Sequence, residues 1–290
     1  MNTTPDLAHC NWIVAFLDIL GQTEAMEQID FVDSKMSGEK REAFESGVRK
    51  VYGTTMLLHD TIHSWVERSK GNLAPVVRQI SGNETVWSQM NSGMLKCQRF
   101  SDGLIVFGTL SDPKSVSPLK PMFFLLGCCA NVMAVTLARG TPIRGGIAIG
   151  AGVEMQPNEL YGPVLARAHH LESEIAQHPR IVLDKRSHEF IQAIAGSSGG
   201  GARGDADRVV ARACADMLRI DVDGYTIVDY LGKAALSVCD RSRTEQVLAM
   251  ISDFATKEYE RHRAALNTKL AFRYAQVLNY IEFSKTEFHK

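Results

Sequence analysis

Two hydrophobic periods alternate along this chain. "WIVAFLDIL" from Trp12 is apolar through almost its whole length and predicts a central strand covered on one or both faces. From about residue 23 to 70 the chain turns polar, with Met56, Leu57, His59, Ile62 and Trp65 at helical spacing, which predicts one or two helices. The Ser-, Gly- and Asn-rich residues 71–92 predict irregular structure. "MLKCQRFSDGLIVFGTL" from Met94 predicts two strands joined at "SDG", because Asp-Gly between apolar runs favours a tight hairpin.

A continuously apolar helix follows over 119–138, then a glycine-rich strand, "TPIRGGIAIGAGVEM" from Thr141. "LYGPVLARAHHLESEIAQ" reads as a helix with Pro163 in its first turn, where a missing N–H does no harm. "RIVLD" reads as a short strand leading into a further helix. "GSSGGGARGDA" from Gly196 reads as a flexible loop and "YTIVDYLG" as a strand, with 243–287 mostly helical. The order predicts an α+β fold of the ferredoxin-like kind, a mostly antiparallel sheet with its helices largely on one face and an extended helical C-terminus.

The chain has 290 residues, 45% of them hydrophobic, enough for a large core. Its 32 basic and 33 acidic residues give a net charge of -1, so no bulk charge draws it to nucleic acid or an anionic membrane. The six cysteines lack C-x-x-C pairing and the N-terminus lacks a secretory pattern, which leads to the expectation of a cytoplasmic protein. "MFFLLGCCANVMAVTLA" from Met122 is at the lower limit of a membrane span, roughly 17 residues, but Gly127 and Asn131 within it favour a buried helix. The Cys128–Cys129 pair then belongs to the core. His59 and His63 stand at i, i+4 without a third ligand in view and read as a helix face.

Asp18 is the anomaly. A carboxylate closing a buried strand costs several kcal/mol unless a cation, backbone N–H groups or a metal compensates it. In a ferredoxin-like sheet the first strand adjoins the hairpin strand, which brings Asp18 beside Asp102. Paired carboxylates are stable as ions with cations between them, and oxygen donors suit Mg²⁺ or Mn²⁺. The plainer uses of these residues, Asp18 as a helix N-cap and Asp102 as a turn residue, carry comparable weight on spacing alone.

"FLDILG", "FSDGLIVF", "IRGGIAIG" and "YGPVLARAHHLE" occur in the order and spacing of class III nucleotidyl cyclases, over roughly residues 12–185. The chain most resembles the bacterial pyrimidine nucleotide cyclases of anti-phage defence, the Pycsar cyclases. The resemblance implies a tail over 1–11, a catalytic domain over 12–240 and a C-terminal helical extension over 241–290. It implies two divalent cations, Mn²⁺ or Mg²⁺, held by Asp18, Asp102 and the Ile19 carbonyl. Gly21 would let backbone N–H groups approach phosphate oxygens, and Arg144 would contact the distal phosphates. Gly145 and Gly146 beside it suit either a close backbone approach or a bulge.

The family also implies a homodimer with composite sites, a nucleoside triphosphate substrate, and a cyclic product that switches on a separate effector protein. Purine cyclases carry Lys or Glu four residues before the hairpin Asp, where this chain has Gln98. The second base-reading position, three residues before the glycine of "YG", holds Glu159. Neither matches the purine sets, and a pyrimidine fits: the Glu159 carboxylate can accept from the N4 amino group of cytosine. CTP is slightly favoured over UTP. Where purine cyclases place Asn and Arg on the next helix, this chain has Ala166 and His170. His170 is the candidate for the missing donor, with Arg167 and His169 near it in sequence. A packing role for His170 is the plainer alternative, and with it a catalytically degenerate domain that binds nucleotide as a regulatory partner.

Overall fold

The computed structural model describes residues 10–22, 37–70, 95–100, 103–110, 119–198, 201–236 and 241–288. The strand at Trp12 forms as expected, β1 (Cys10–Ile19), and lies inside a mixed, mostly antiparallel open sheet. The hairpin strands are β2 (Lys96–Arg99) and β3 (Gly103–Thr109), and the glycine-rich strand is β4 (Ile143–Gln156). β5 (Glu159–Tyr161) turns back along the far end of β4. β6 (Ile181–Leu183), β7 (Leu218–Ile220) and β8 (Thr226–Val228) complete the order β2-β3-β1-β4-β6-β8-β7. Only β4 and β6 pair in parallel among these described strands.

Two crossovers interleave in the first half. α1 (Gly38–Lys70) lies between β1 and β2 in the chain, and those strands flank β3 in the sheet. α2 (Leu119–Ala138) lies between β3 and β4, which flank β1. β1 is therefore covered on both sides and apolar along both faces. Ile13, Ala15, Leu17 and Ile19 join the core beneath α1 and α2, whereas Trp12 and Val14 join a second cluster on the opposite face, as the two-residue period of a strand requires.

α2 is long and apolar enough to cross a membrane by composition, yet most of it is buried inside the fold. Its polar interruption has a local cause: Asn131 Oδ1 accepts a hydrogen bond from the Trp65 indole of α1 at 2.9 Å. Cys128 and Cys129 are fully buried in the same core, and the five described cysteines are free thiols. His59 is buried and His63 exposed, so the two rings do not share an environment.

The helices do not all lie on one face. α3 (Pro163–His170) packs through Val164 and Ala168 on the other side of the sheet and runs into a π turn, Leu171–Ile175. What permits this is glycine. A Cβ on Gly146 would fall 2.2 Å from the Ala168 carbonyl oxygen, and one on Gly150 would meet the Arg167 guanidinium. The register of β1 with β4 is unbroken from Ile19↔Ile143 to Cys10↔Gly152, so Gly145 and Gly146 serve close approach and not a bulge.

The glycine-rich stretch expected to be a flexible loop is a correction. Helix α5 (Gly201–Ala215) follows α4 (Lys185–Ala195), because Val210, Ala213 and Cys214 recur at helical spacing and bury against the core. After the short α6 (Lys233–Leu236), α7 (Arg241–Ala264) and α8 (Thr268–Phe288) form a helical pair around Leu266, at φ +54°. Ile251, Ala255, Val277 and Ile281 enter the main core, which makes this helical pair part of the same packed unit. Tyr280 fixes α8 to the sheet: its hydroxyl donates to Asp229 Oδ1 and accepts from the Leu231 N–H at 3.0 Å.

Candidate active site

Asp18 closes β1 on the α3 face of the sheet, and its compensating partner is a guanidinium. Arg144, directly across the ladder on β4, brings Nη2 to 3.4 Å from Asp18 Oδ2. Its Nε lies 2.6 Å from Glu172 Oε1, and its Nη1 donates to the Ser173 carbonyl at 3.4 Å. The π turn makes this possible, because it carries Glu172 and Ser173 back toward β4, with the Ala176 N–H closing onto the Leu171 carbonyl. Glu172 is 2% exposed, a carboxylate this sequence reading missed inside an apparently continuous helix.

One guanidinium thus serves two carboxylates. On its other side Asp18 pairs in register with Gly103, the glycine of "SDG". Asp102, the residue before it in the chain, lies outside the described residues. Ile19 follows at the end of the ladder opposite Ile143, and the Leu20 N–H donates to the Pro142 carbonyl at 2.9 Å. The Asp18 carboxylate and the Ile19 carbonyl are themselves oxygen donors, the type that hard divalent cations select. Among the described residues, no three His, Cys, Asp or Glu side chains converge as a metal cluster.

Gly21 makes the turn at φ +81°, left-handed and without crowding, so conformation and not space requires glycine there. Gln22 then anchors the chain to α1 by donating to Thr55 Oγ1 at 2.7 Å. Beside this turn a cavity of about 650 Å³ opens toward the α2–β4 turn and α7 and α8, with Arg139, Arg261 and Arg273 on its walls.

The two residues read as base-selecting are linked through the main chain of β5. Gln98 Oε1 on β2 accepts from the Leu160 N–H at 3.0 Å, adjacent to Glu159 at the start of β5. Gln98 is the register partner of Ile105, itself opposite Phe16, so Gln98 sits two strands from Phe16, about 10 Å at normal strand spacing.

The helix residues divide differently from expectation. Ala166, His169 and His170 are all exposed, and of the two histidines His169 meets β1, its ring 4.9 Å from that of Phe16 in an edge-on contact. Arg167 is structural: it donates from Nη2 to the Ile149 carbonyl at 2.7 Å and pairs with Asp184.

Beyond the π turn, Arg180 is 5% exposed and pairs with Asp221 and Asp223 at 2.7 Å each. Burial, helped by Arg180, pushes the neighbouring His178 imidazole down to about 4, outweighing the opposite pull of Asp221 and Asp223. The unfolded chain then takes up this proton first, near the ordinary value of about 6.5. His178 stabilises the fold fully above that value and loses its contribution as the pH falls toward about 4. We expect a loss of about 3 kcal/mol across that window in urea unfolding, flattened in His178→Asn.

Comparison of the chain with protein-family models, curated proteins and solved structures finds no match.

Proposed function

We propose that this protein is a metal-dependent pyrimidine nucleotide cyclase that converts CTP, or UTP, to its 3′,5′-cyclic monophosphate and pyrophosphate. The observation that carries the reading is one juxtaposition: Asp18 of "FLDILG" stands in register between Gly103 of "FSDGLIVF" and Arg144 of "IRGG". Three of the four motifs behind the cyclase resemblance thus meet at one strand end. Interleaved β-α-β crossovers in strand order 2-3-1-4 support a ferredoxin-like core of the class III cyclase kind.

In this reading Asp18, the Ile19 carbonyl and Asp102 would hold divalent cations, Mn²⁺ or Mg²⁺. When bound, such ions lower the pKa of a ribose 3′-hydroxyl and neutralise a triphosphate. The 3′-oxygen would attack the α-phosphorus, its proton passing to water, while the bond from the α-phosphorus to the bridging oxygen breaks and pyrophosphate leaves. Arg144, held at Nε by Glu172, offers its remaining N–H groups to the phosphates in place of Asp18. The turn at Gly21 and the arginine-walled cavity beside it receive the distal phosphates.

Gln98 and Glu159 select the base. Each good base-edge contact discriminates by about 1–3 kcal/mol, so Glu159→Gln is expected to lower the CTP-to-UTP ratio of kcat/KM by about tenfold. An unchanged ratio would remove Glu159 from base selection. The exposure of His170 supports a homodimer in which α3 of one copy completes the site of the other, its imidazole supplying the donor that the missing Asn/Arg pair provides in purine cyclases. The cyclic product would act as a second messenger on a separate effector in anti-phage defence.

A second reading, a degenerate cyclase domain that only binds nucleotide, draws on Ala166 and on the hold of Arg144 upon Asp18. Incubation with ATP, GTP, CTP and UTP separately, in Mn²⁺ and in Mg²⁺, followed by mass spectrometry, separates the two. Cyclic CMP or cyclic UMP establishes the enzyme. A folded dimer that binds nucleotide without forming product favours the regulatory partner.

A further inference from the structure

On the side of β4 away from β1, a second cavity opens between the π turn, the β7–β8 hairpin and the first turns of α8. Its volume is about 710 Å³, within the range of roughly 300 to 1,000 Å³ typical of small-molecule sites. One set of its lining residues is apolar and conspicuously wet: Val222 is 87% exposed, Phe272 61% and Tyr225 39%. Large apolar side chains gathered at the mouth of a cavity mark a surface that gains by being covered. Another set is cationic, with Arg144, Lys269 and Arg273 lining the same space.

Arg180 lines it too, buried, and its Nε has no hydrogen-bond partner among the described residues, although its terminal nitrogens bind Asp221, Asp223 and the Ile175 carbonyl. Asp223 and Glu174 are the acidic lining residues, and Asp223 is already committed to Arg180. The cavity therefore combines aromatic faces with four cationic lining side chains, of which Arg144 and Arg180 each already serve two carboxylates and Lys269 and Arg273 face the open space. An aromatic face accepts a planar ring, and guanidinium and ammonium groups suit phosphate oxygens.

We propose that this cavity binds a mononucleotide, with its base against Tyr225 and Phe272 and its phosphate held by Lys269 and Arg273, at a site distinct from the Asp18 centre. The site bears on the Asp18 centre through two residues, Arg273, which also walls the cavity beside Gly21, and Arg144. Arg144 lines the cavity and also holds the Asp18 carboxylate, so a phosphate that draws Arg144 toward the cavity releases Asp18. Occupancy and the state of Asp18 are thus coupled, and the coupling is reciprocal. Binding at the cavity does not depend on whether the chain turns over a triphosphate.

Isothermal titration of the full chain with CMP and AMP, and with inorganic phosphate and cytidine as partial ligands, tests the proposal. The expected result is mononucleotide binding at least about tenfold tighter than phosphate or cytidine, because ring and phosphate contacts add. Asp18→Asn keeps or tightens that binding, since it loosens the hold on Arg144, whereas Phe272→Ser and Lys269→Glu, both at exposed positions, each weaken it by about tenfold or more with unchanged circular dichroism. Absence of mononucleotide binding by the folded chain would overturn the proposal. So would binding lost in Asp18→Asn and kept in Phe272→Ser, since the nucleotide would then occupy the Asp18 centre. Cyclic product without binding at the cavity would leave the catalytic reading standing alone.

Discussion

Changing Asp18 to asparagine is expected to lower cyclic-nucleotide formation by about a thousandfold, because charge stabilisation by a bound divalent ion contributes several kcal/mol and each 1.36 kcal/mol is tenfold in rate. The substitution keeps the volume and one oxygen of the side chain and removes the charge. Its structural cost is small. Arg144 keeps Glu172 at Nε and the Ser173 carbonyl at Nη1, so no guanidinium is stranded in the core. Thermal unfolding should therefore move by only a few degrees while turnover collapses, measured as cyclic product per enzyme under saturating triphosphate and Mn²⁺. Full turnover by a folded Asp18→Asn protein would end the metal-dependent reading. Collapse of both stability and turnover would instead make Asp18 a structural partner of Arg144.

Which features could be read in the sequence follows from their physics. β1, β3 and α2 are continuous apolar runs, and their burial on two faces or all around leaves little choice of structure. The pairing of Asp18 with Arg144 was not readable, because neither residue type names its partner and the two are 126 positions apart. Glu172 was hidden by the π turn: a helix of ordinary period would carry it to a different angle from the one that reaches Arg144. The placement of α3 on the second face depended on glycine spacing in β4, a signal present in "GGIAIGAG" but readable only with the helix above it.

Two misses did have local signals. Asp223-Gly224 between β7 and β8 is the same hairpin cue as "SDG", with Gly224 at φ +84°, yet strands of three residues are too short for a period to show. In α5 the glycines before Asp205 concealed an apolar helical stripe further on. The expectations for 71–92 and for Asp102 fall outside the described residues.

Gly146→Ala is expected to be the most destabilising single-methyl change at this site. The added Cβ would stand 2.2 Å from the Ala168 carbonyl oxygen, 2.5 Å from Leu171 Cβ and 2.8 Å from the Glu172 N–H. None of these is the end of a flexible side chain, so the helix itself must lift from β4. Overpacking of this kind costs about 3 kcal/mol, which lowers the melting temperature by roughly 5 °C in a chain of this size. The lift carries the π turn with it and takes Glu172 from Arg144, so turnover should fall together with stability. Gly21→Ala provides the contrast: nothing lies within 4 Å, and the positive φ alone costs about 1 kcal/mol. Unfolding curves for the two variants side by side distinguish a crowded glycine from a merely left-handed one. A Gly146→Ala protein as stable as the parent would mean that α3 does not rest on β4 at this point, and the route by which Glu172 reaches Arg144 would have to be abandoned.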